Sequence, residues 1–159
     1  MQIQIVSVGK LREKYLKDAC SEYLKRNSRF CSIKVIEVAE EKVPETLTKA
    51  QKETVLKKEA ERIKNVLPKN TFTIVLDLKG EKPDSIKFSQ QISSWMLEGK
   101  SNITFIIGGS IGLDRQLVQE SNYSLCLSDL TFPHQLVRVI LLEQIYRCFK
   151  IINNEPYHK

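Results

Sequence analysis

Histidine is nearly missing from this chain of 159 residues. Two are present, His134 and His158, so a site built from several histidine ligands cannot form within one chain. Cysteine is sparse and poorly spaced for chemistry. Cys20, Cys31, Cys126 and Cys148 stand 11, 95 and 22 positions apart, with no CxxC pair to hold zinc or exchange disulfides, which fits a reducing cytoplasm. No run approaches the roughly 18 apolar residues of a spanning helix, and the start, Met1 to Val6, lacks the basic lead and apolar core of a signal peptide. A cytoplasmic protein without a membrane partner is the expectation. Repeats, linkers and composition breaks are also missing, so residues 1–159 read as a single domain. With 42% hydrophobic and 28% charged residues, the chain is neither disordered nor fibrous. At this length a core forms without disulfide or metal staples.

What is present is a basic excess in one part of the chain. The formal net charge is +6, with 25 Lys and Arg against 19 Asp and Glu. Residues 1–70 hold 16 basic and 10 acidic groups, whereas residues 71–159 hold nine of each. Lys10 to Lys34 alone carries eight basic and three acidic groups, so a polyanion meets this stretch first. Lysines along one helix face are either a solvated surface or a phosphate-tracking one.

The pattern predicts alternating strands and helices. Strands are expected over Gln2–Val8, Ser32–Val38, Thr71–Leu78, Ile103–Ile107 and Leu125–Leu127. Helices are expected over Leu11–Asn27, with Leu11, Tyr15, Ala19 and Tyr23 as an apolar stripe that Leu16, Cys20 and Leu24 widen, then from a Thr48/Gln51 capping box to Val66. Further helices are expected over Asp84–Glu98, Leu113–Ser121 and His134–Ile152, and Lys79–Pro83 reads as a turn. This order implies an α/β fold, a mainly parallel sheet with helices on both faces. The last helix is apolar on more than one side, which suggests a second packing surface and hence a homodimer.

Three segments carry the chemistry. Gly108-Gly109-Ser110-Ile111-Gly112 follows an apolar strand and precedes a helix, where open α/β sheets bind ligands and helix starts attract anions. Its GGxxG spacing is not the dinucleotide fingerprint, and a tight strand-to-helix turn explains the glycines equally well. Leu127-Ser128-Asp129-Leu130-Thr131-Phe132 mixes hydroxyls, a carboxylate and apolar groups, as a nucleoside-sized ligand requires, although Thr131 or His134 beside Pro133 also reads as helix capping. The tail Asn153 to Lys159 contains a histidine, an aromatic ring and a cation, but chain ends usually fray. Arg147 lies four residues after Glu143, the spacing of a surface ion pair.

Together, Val8-Gly9-Lys10-Leu11 with Tyr15, Ile107-Gly108-Gly109-Ser110-x-Gly112-Leu113, Thr131-Phe132-Pro133-His134-Gln135-x-x-Arg138-Val139, Glu143-Gln144-x-Tyr146-Arg147 and Pro156-Tyr157-His158-Lys159 resemble the RlmH family of bacterial SPOUT-class enzymes. Members methylate N3 of a pseudouridine in large-subunit ribosomal RNA. The resemblance runs from the first strand to the last residue. It implies a homodimer with a C-terminal trefoil knot, which topology rules alone would disfavour. It also implies S-adenosylmethionine, carried by position onto Leu76, Gly108, and Leu127, Ser128, Asp129, Leu130, Thr131 and Phe132. It links Arg147, Tyr157 and His158 to catalysis and substrate, with Lys159 following, and since methyl transfer from a sulfonium is largely positioning, no metal is expected. Lys10 and Lys14 of the basic stretch join Lys159 as residues for binding ribosomal RNA or the ribosome. Ile111 stands where the family pattern leads us to expect a polar residue, and a β-branched side chain resists a left-handed turn. Two rival readings are a non-catalytic ribosome-binding or RNA-binding module, which fits the basic stretch, and a flavodoxin-like flavin binder, which fits the alternating order.

Overall fold

The computed structural model describes residues 1–158. Ten elements alternate along it: β1 (Gln2–Val8), α1 (Lys14–Asn27), β2 (Ser32–Val38), α2 (Lys49–Val66), β3 (Phe72–Glu81), α3 (Ser85–Leu97), β4 (Asn102–Ile107), α4 (Arg115–Glu120), β5 (Tyr123–Leu125) and α5 (His134–Ile152). The five strands form one sheet in the order β2-β1-β4-β3-β5, and every pair is parallel. Both faces are covered, which is why the central strands are apolar on both sides. Ile3, Ile5, Ile74, Ile103 and Phe105 face α1, α3 and α5, whereas Val6, Val8, Val75 and Ile106 face α2 and α4. None of the helices described is long and apolar enough to cross a membrane.

Most elements stand where periodicity puts them, and the departures have local causes. α1 begins at Lys14, after a stretch in which Glu37 accepts the Leu11 amide and Gln135 accepts the Arg12 amide, so Leu11 is outside the helix. Tyr15 is exposed, and the inward stripe is formed by Leu16, Cys20 and Asn27. Asn27 is fully buried because its amide donates to the Tyr23 and Leu142 carbonyls, a substitute for apolar packing. The Thr48/Gln51 capping box closes in both directions.

β3 runs on through the predicted turn to Glu81. After a break in register beyond Leu76, Glu81 pairs with Leu125 and accepts the Cys126 amide. Gly80 permits this, since a Cβ there would stand 2.6 Å from the Ser124 carbonyl oxygen. β5 lies two residues earlier than predicted, held by Asn122, whose side-chain oxygen accepts from Thr73. That earlier end leaves Leu127 free to line a cavity.

α5 crosses back from the β5 edge to pack against α1 and α3. Arg138, in its second turn, is 2% exposed. It donates to the Glu37 carboxylate at the end of β2 and to the Gly9 carbonyl after β1. Burial pushes the Glu37 carboxyl up, but the Leu11 amide and Arg138 together outweigh it and hold the group below the usual value. The stability from this contact is therefore complete above the unfolded carboxyl's titration and lost as pH falls through the lowered folded one.

Arg138→Met should cost about 3 kcal/mol in denaturant unfolding, because Glu37 loses its buried partner. The double variant Arg138→Met/Glu37→Met should recover part of the loss. A single variant as stable as wild type would remove the contact from any structural role.

Candidate functional site

The C-terminal ends of β3, β4 and β5 surround a cavity of about 390 Å³, within the size range of small-ligand sites. β3 contributes Leu76, Asp77 and Leu78, β4 and its loop contribute Ile107, Gly108, Gly109, Ser110 and Gly112, and the segment after β5 contributes Leu127, Ser128, Leu130, Thr131 and Phe132. His134 and Val137 of α5 complete the wall. Its apolar surfaces suit a flat ring, and the open glycine loop brings backbone close to whatever lies inside.

The structure brings together Leu76, Gly108, Leu127, Ser128, Leu130, Thr131 and Phe132, and places Asp129 elsewhere. The Asp129 carboxylate does not line the cavity; it is exposed and pairs with Lys82 from the β3–α3 turn. Arg115 similarly pairs with Asp77 at 3.0 Å. Arg115 and Lys82 are thus each matched by a carboxylate. Leu78 and Leu130 remain exposed, an apolar lip on an otherwise polar rim.

Two alternative readings of the loops are answered by geometry. The N-cap of α5 is Pro133 without a side-chain cap, so neither Thr131 nor His134 caps that helix. In the glycine loop, turn and lining coexist. Gly112 takes the left-handed conformation at φ +90°, which relieves Ile111 of it, and a Cβ on Gly108 would stand 2.6 Å from the Gly112 carbonyl oxygen. The anion-attracting helix start is different from expectation. Asp114 caps α4, accepting from the Gln116 and Leu117 amides, so those donors are already used.

The tail is anchored. Asn154 takes φ +54°, and the amides of Asn154 and Glu155 donate back to Ile151 and Lys150, a left-handed helix stop. Glu155 then pairs with Lys150, and Arg29 of the α1–β2 turn lies 3.7 Å from it. This turns Tyr157 edge-on to Tyr146, with centroids 4.9 Å apart. Arg147 donates to Glu143 at 2.5 Å and its guanidinium lies 4.8 Å from the Tyr157 ring centre. Tyr157 donates to the same Glu143 oxygen at 3.2 Å, and Arg147 approaches His158 Nδ1 at 3.4 Å. The Glu143–Arg147 pair is half-buried and organises this cluster. Burial, with Tyr23 and Glu143 beside it, pushes the Tyr157 phenol up to about 12, so it stays a neutral donor.

His158 also lines a second cavity, of about 410 Å³, whose wall includes Leu125, Cys126, Leu127 and Phe132. Those four residues line the strand-end cavity too, so the tail and the strand-end site share a partition. Sequence reasoning missed Tyr23 and Asp77, which carry no local signal, and saw in Glu143 an ordinary helix ion pair. Lys10 lines a separate groove with Leu11, Lys17, Val35 and Arg138, Lys14 pairs with Asp18 on the surface, and Lys159 lies outside the described residues. Among the described residues, no cluster of three or more His, Cys, Asp or Glu is placed to hold a metal.

Residues 1–158 match the family described as "Predicted SPOUT methyltransferase". Over its full 159 residues the chain is 56% identical to the whole "Ribosomal RNA large subunit methyltransferase H" of Ruminiclostridium cellulolyticum and 50% identical to that of Acetivibrio thermocellus. It is 53% identical, again over both full lengths, to a "Putative ribosomal RNA large subunit methyltransferase H" of Methanococcus maripaludis. The fold is similar to a probable methylase family protein from Haemophilus influenzae, with a TM-score of 0.57 at 14% identity, covering 99% of this chain and 70% of that one.

Gly108→Ala should displace the loop, because its Cβ meets backbone. Amide exchange over residues 108–112 is expected to quicken while cooperative unfolding persists. An alanine variant whose loop exchanges at the wild-type rate would contradict this geometry.

Proposed function

The chain belongs to the SPOUT methyltransferase family, in its ribosomal RNA large subunit methyltransferase H group, and from that premise we propose that it methylates N3 of a pseudouridine in large-subunit ribosomal RNA, using S-adenosylmethionine and working as a homodimer. The observation that carries the reading is the shared partition, with a nucleoside-sized cavity on one side and the Arg147–Tyr157–His158 cluster on the other.

The residues present fit the donor. Leu76, Leu127 and Phe132 offer apolar faces for adenine, Gly108 offers close backbone approach, and Arg115 and Lys82 are each paired with a carboxylate, which weakens their repulsion of a sulfonium. When bound, S-adenosylmethionine supplies a methyl group on positively charged sulfur, a leaving group that keeps the electron pair of the broken bond.

The chain's own part is to position the nucleobase and manage one proton. The imide N3–H must lose its proton before the nitrogen can form a bond to carbon. A guanidinium donating to His158 Nδ1 leaves the ring proton on Nε2, so Nδ1 carries the basic lone pair. Of the two hydrogen bonds Arg147 makes among the described residues, the 3.4 Å contact to His158 is the long one and the bond to Glu143 the short one. Arg147, drawn toward the developing oxyanion on the base, then releases Nδ1 to take the N3 proton. Tyr157, neutral and edge-packed on Tyr146, presents its ring for stacking against the nucleobase.

Lys10 and Lys14, with Lys159, serve the RNA backbone in this reading, and phosphate contact requires only their charge. The homodimer is supported by α5, whose Leu136, Val139 and Ile140 stay partly exposed after its other side is buried against α1 and α3. A knotted C-terminal half belongs to the same reading. It is supported by α5 leaving the β5 edge and returning over the sheet to α1.

Mass spectrometry of large-subunit RNA from a deletion strain should lack one N3-methylated pseudouridine, restored by the wild-type gene. A pseudouridine still fully methylated in that strain would sink the assignment. In single-turnover assays on ribosomes, His158→Ala and His158→Gln should each slow methylation by about 100-fold or more. Wild-type rates in both would remove the base from His158.

A further inference from the structure

Glu59 lies on α2, outside every role given so far, and it is 3% exposed. Its Oε1 accepts the Glu41 amide at 2.9 Å, while its Oε2 is buried without a partner among the described residues. That free oxygen stands 3.5 Å from the point where a Cβ on Gly109 would lie. Glu40 Oε1 is 3.2 Å from the same point and accepts the Ser110 amide at 3.3 Å. Two carboxyl groups therefore converge beneath the Gly109–Ser110 turn, with Val8 3.0 Å away on the third side.

We propose that Glu59 is a positioning residue for the methyl donor: with Glu40 it sets, from below, the Gly109–Ser110 turn that walls the donor cavity. The inference rests on the reading of that cavity as the S-adenosylmethionine site. Glu59 acts twice. By holding the Glu41 amide it determines where Glu40 enters the site, and by filling the space under Gly109 it prevents the loop from sinking toward α2.

The protonation state of Glu59 decides whether this arrangement is stable. Burial pushes its carboxyl up, opposed by the Glu41 amide and Arg62 and reinforced by the charges of Glu40 and Glu41. The neutral form places an O–H donor on the orphan oxygen, next to the Glu40 carboxylate. The ionised form places two like charges under one turn, and the loop loses its seat. The other charged or titratable group brought to this junction is His134 of α5, whose Nε2 approaches the Glu40 side of Gly9. Donor binding should therefore weaken as pH rises through the Glu59 titration.

The test combines calorimetry with S-adenosylmethionine over roughly pH 5 to 9 and amide exchange at Ser110 in the ligand-free protein. Glu59→Ala should bind the donor about tenfold more weakly and exchange Ser110 faster. Glu59→Gln, which mimics the neutral carboxyl, should restore low-pH affinity and lack the decline that wild type shows. His134 and the donor's own amino group are common to both proteins, so the difference belongs to Glu59. Identical pH profiles for wild type and Glu59→Gln overturn the proposal, as does a folded Glu59→Ala with wild-type affinity and exchange. Should Glu59→Ala fail to fold, the glutamine profile decides. A folded wild-type protein that binds no S-adenosylmethionine overturns the functional reading, and the donor role of Glu59 with it, whatever Ser110 exchange shows.

Discussion

A guanidinium removed from water joins three parts of the chain that are far apart in sequence. Arg138 begins on the helix that follows the cavity loop, reaches Glu37 at the end of β2, and bonds the Gly9 carbonyl at the end of β1. An arginine this buried is tolerated only where its charge and donors are met, and here two of its three nitrogens are. The contact holds the start of α5 against the strand ends. The segment from Leu127 to Pro133 is thereby pinned at both ends, by β5 pairing before it and by Arg138 after it. The cavity has a wall because that segment cannot drift.

In the proposed reading the chemistry is divided across a thin partition. On one side, apolar side chains and a glycine loop make a slot with matched charges at its mouth. On the other, Glu143 gathers Arg147 and Tyr157 from a helix and a tail, and Arg147 in turn meets His158. Glu143 is the quiet member of that cluster. One of its oxygens accepts from both neighbours, which fixes a guanidinium and a phenol relative to each other. Lys150 and Glu155 then keep the tail folded back, so a terminal segment packs beside the helix that carries Arg147.

Much of this was legible in the residues. Alternating strands and helices follow from the 2.0 and 3.6 periodicities, and the Thr48/Gln51 box and Asp84 cap mark helix starts by local hydrogen bonds. The glycine loop and the Leu127–Phe132 loop declare themselves by composition. Tyr15 and Asp129 do not, because exposure is decided by what packs opposite. Tyr15 sits at helical spacing with apolar residues, yet the face of α1 that packs is the one carrying Leu16, Cys20 and Asn27, which leaves Tyr15 in solvent. Asp129 sits in the right loop, yet Lys82 draws its carboxylate outward. Tyr23 and Glu59 are ordinary helical residues in the sequence, and what they meet lies far along the chain, Tyr157 at 134 positions from Tyr23 and Gly109 at 50 from Glu59, separations that local patterns cannot encode.

The α/β class, the strands' apolar faces, the basic first half and the family motifs can be read along the chain, because each depends on neighbours a few residues apart. Packing set the strand order β2-β1-β4-β3-β5, the extension of β3 past Gly80, and the gathering of Leu76 with two distant loops. It also decided that a polar tail is anchored and that a buried glutamate lies under a glycine turn. These depend on which surfaces meet once backbone hydrogen bonds and buried charges must all be satisfied together. No short stretch of residues carries that condition.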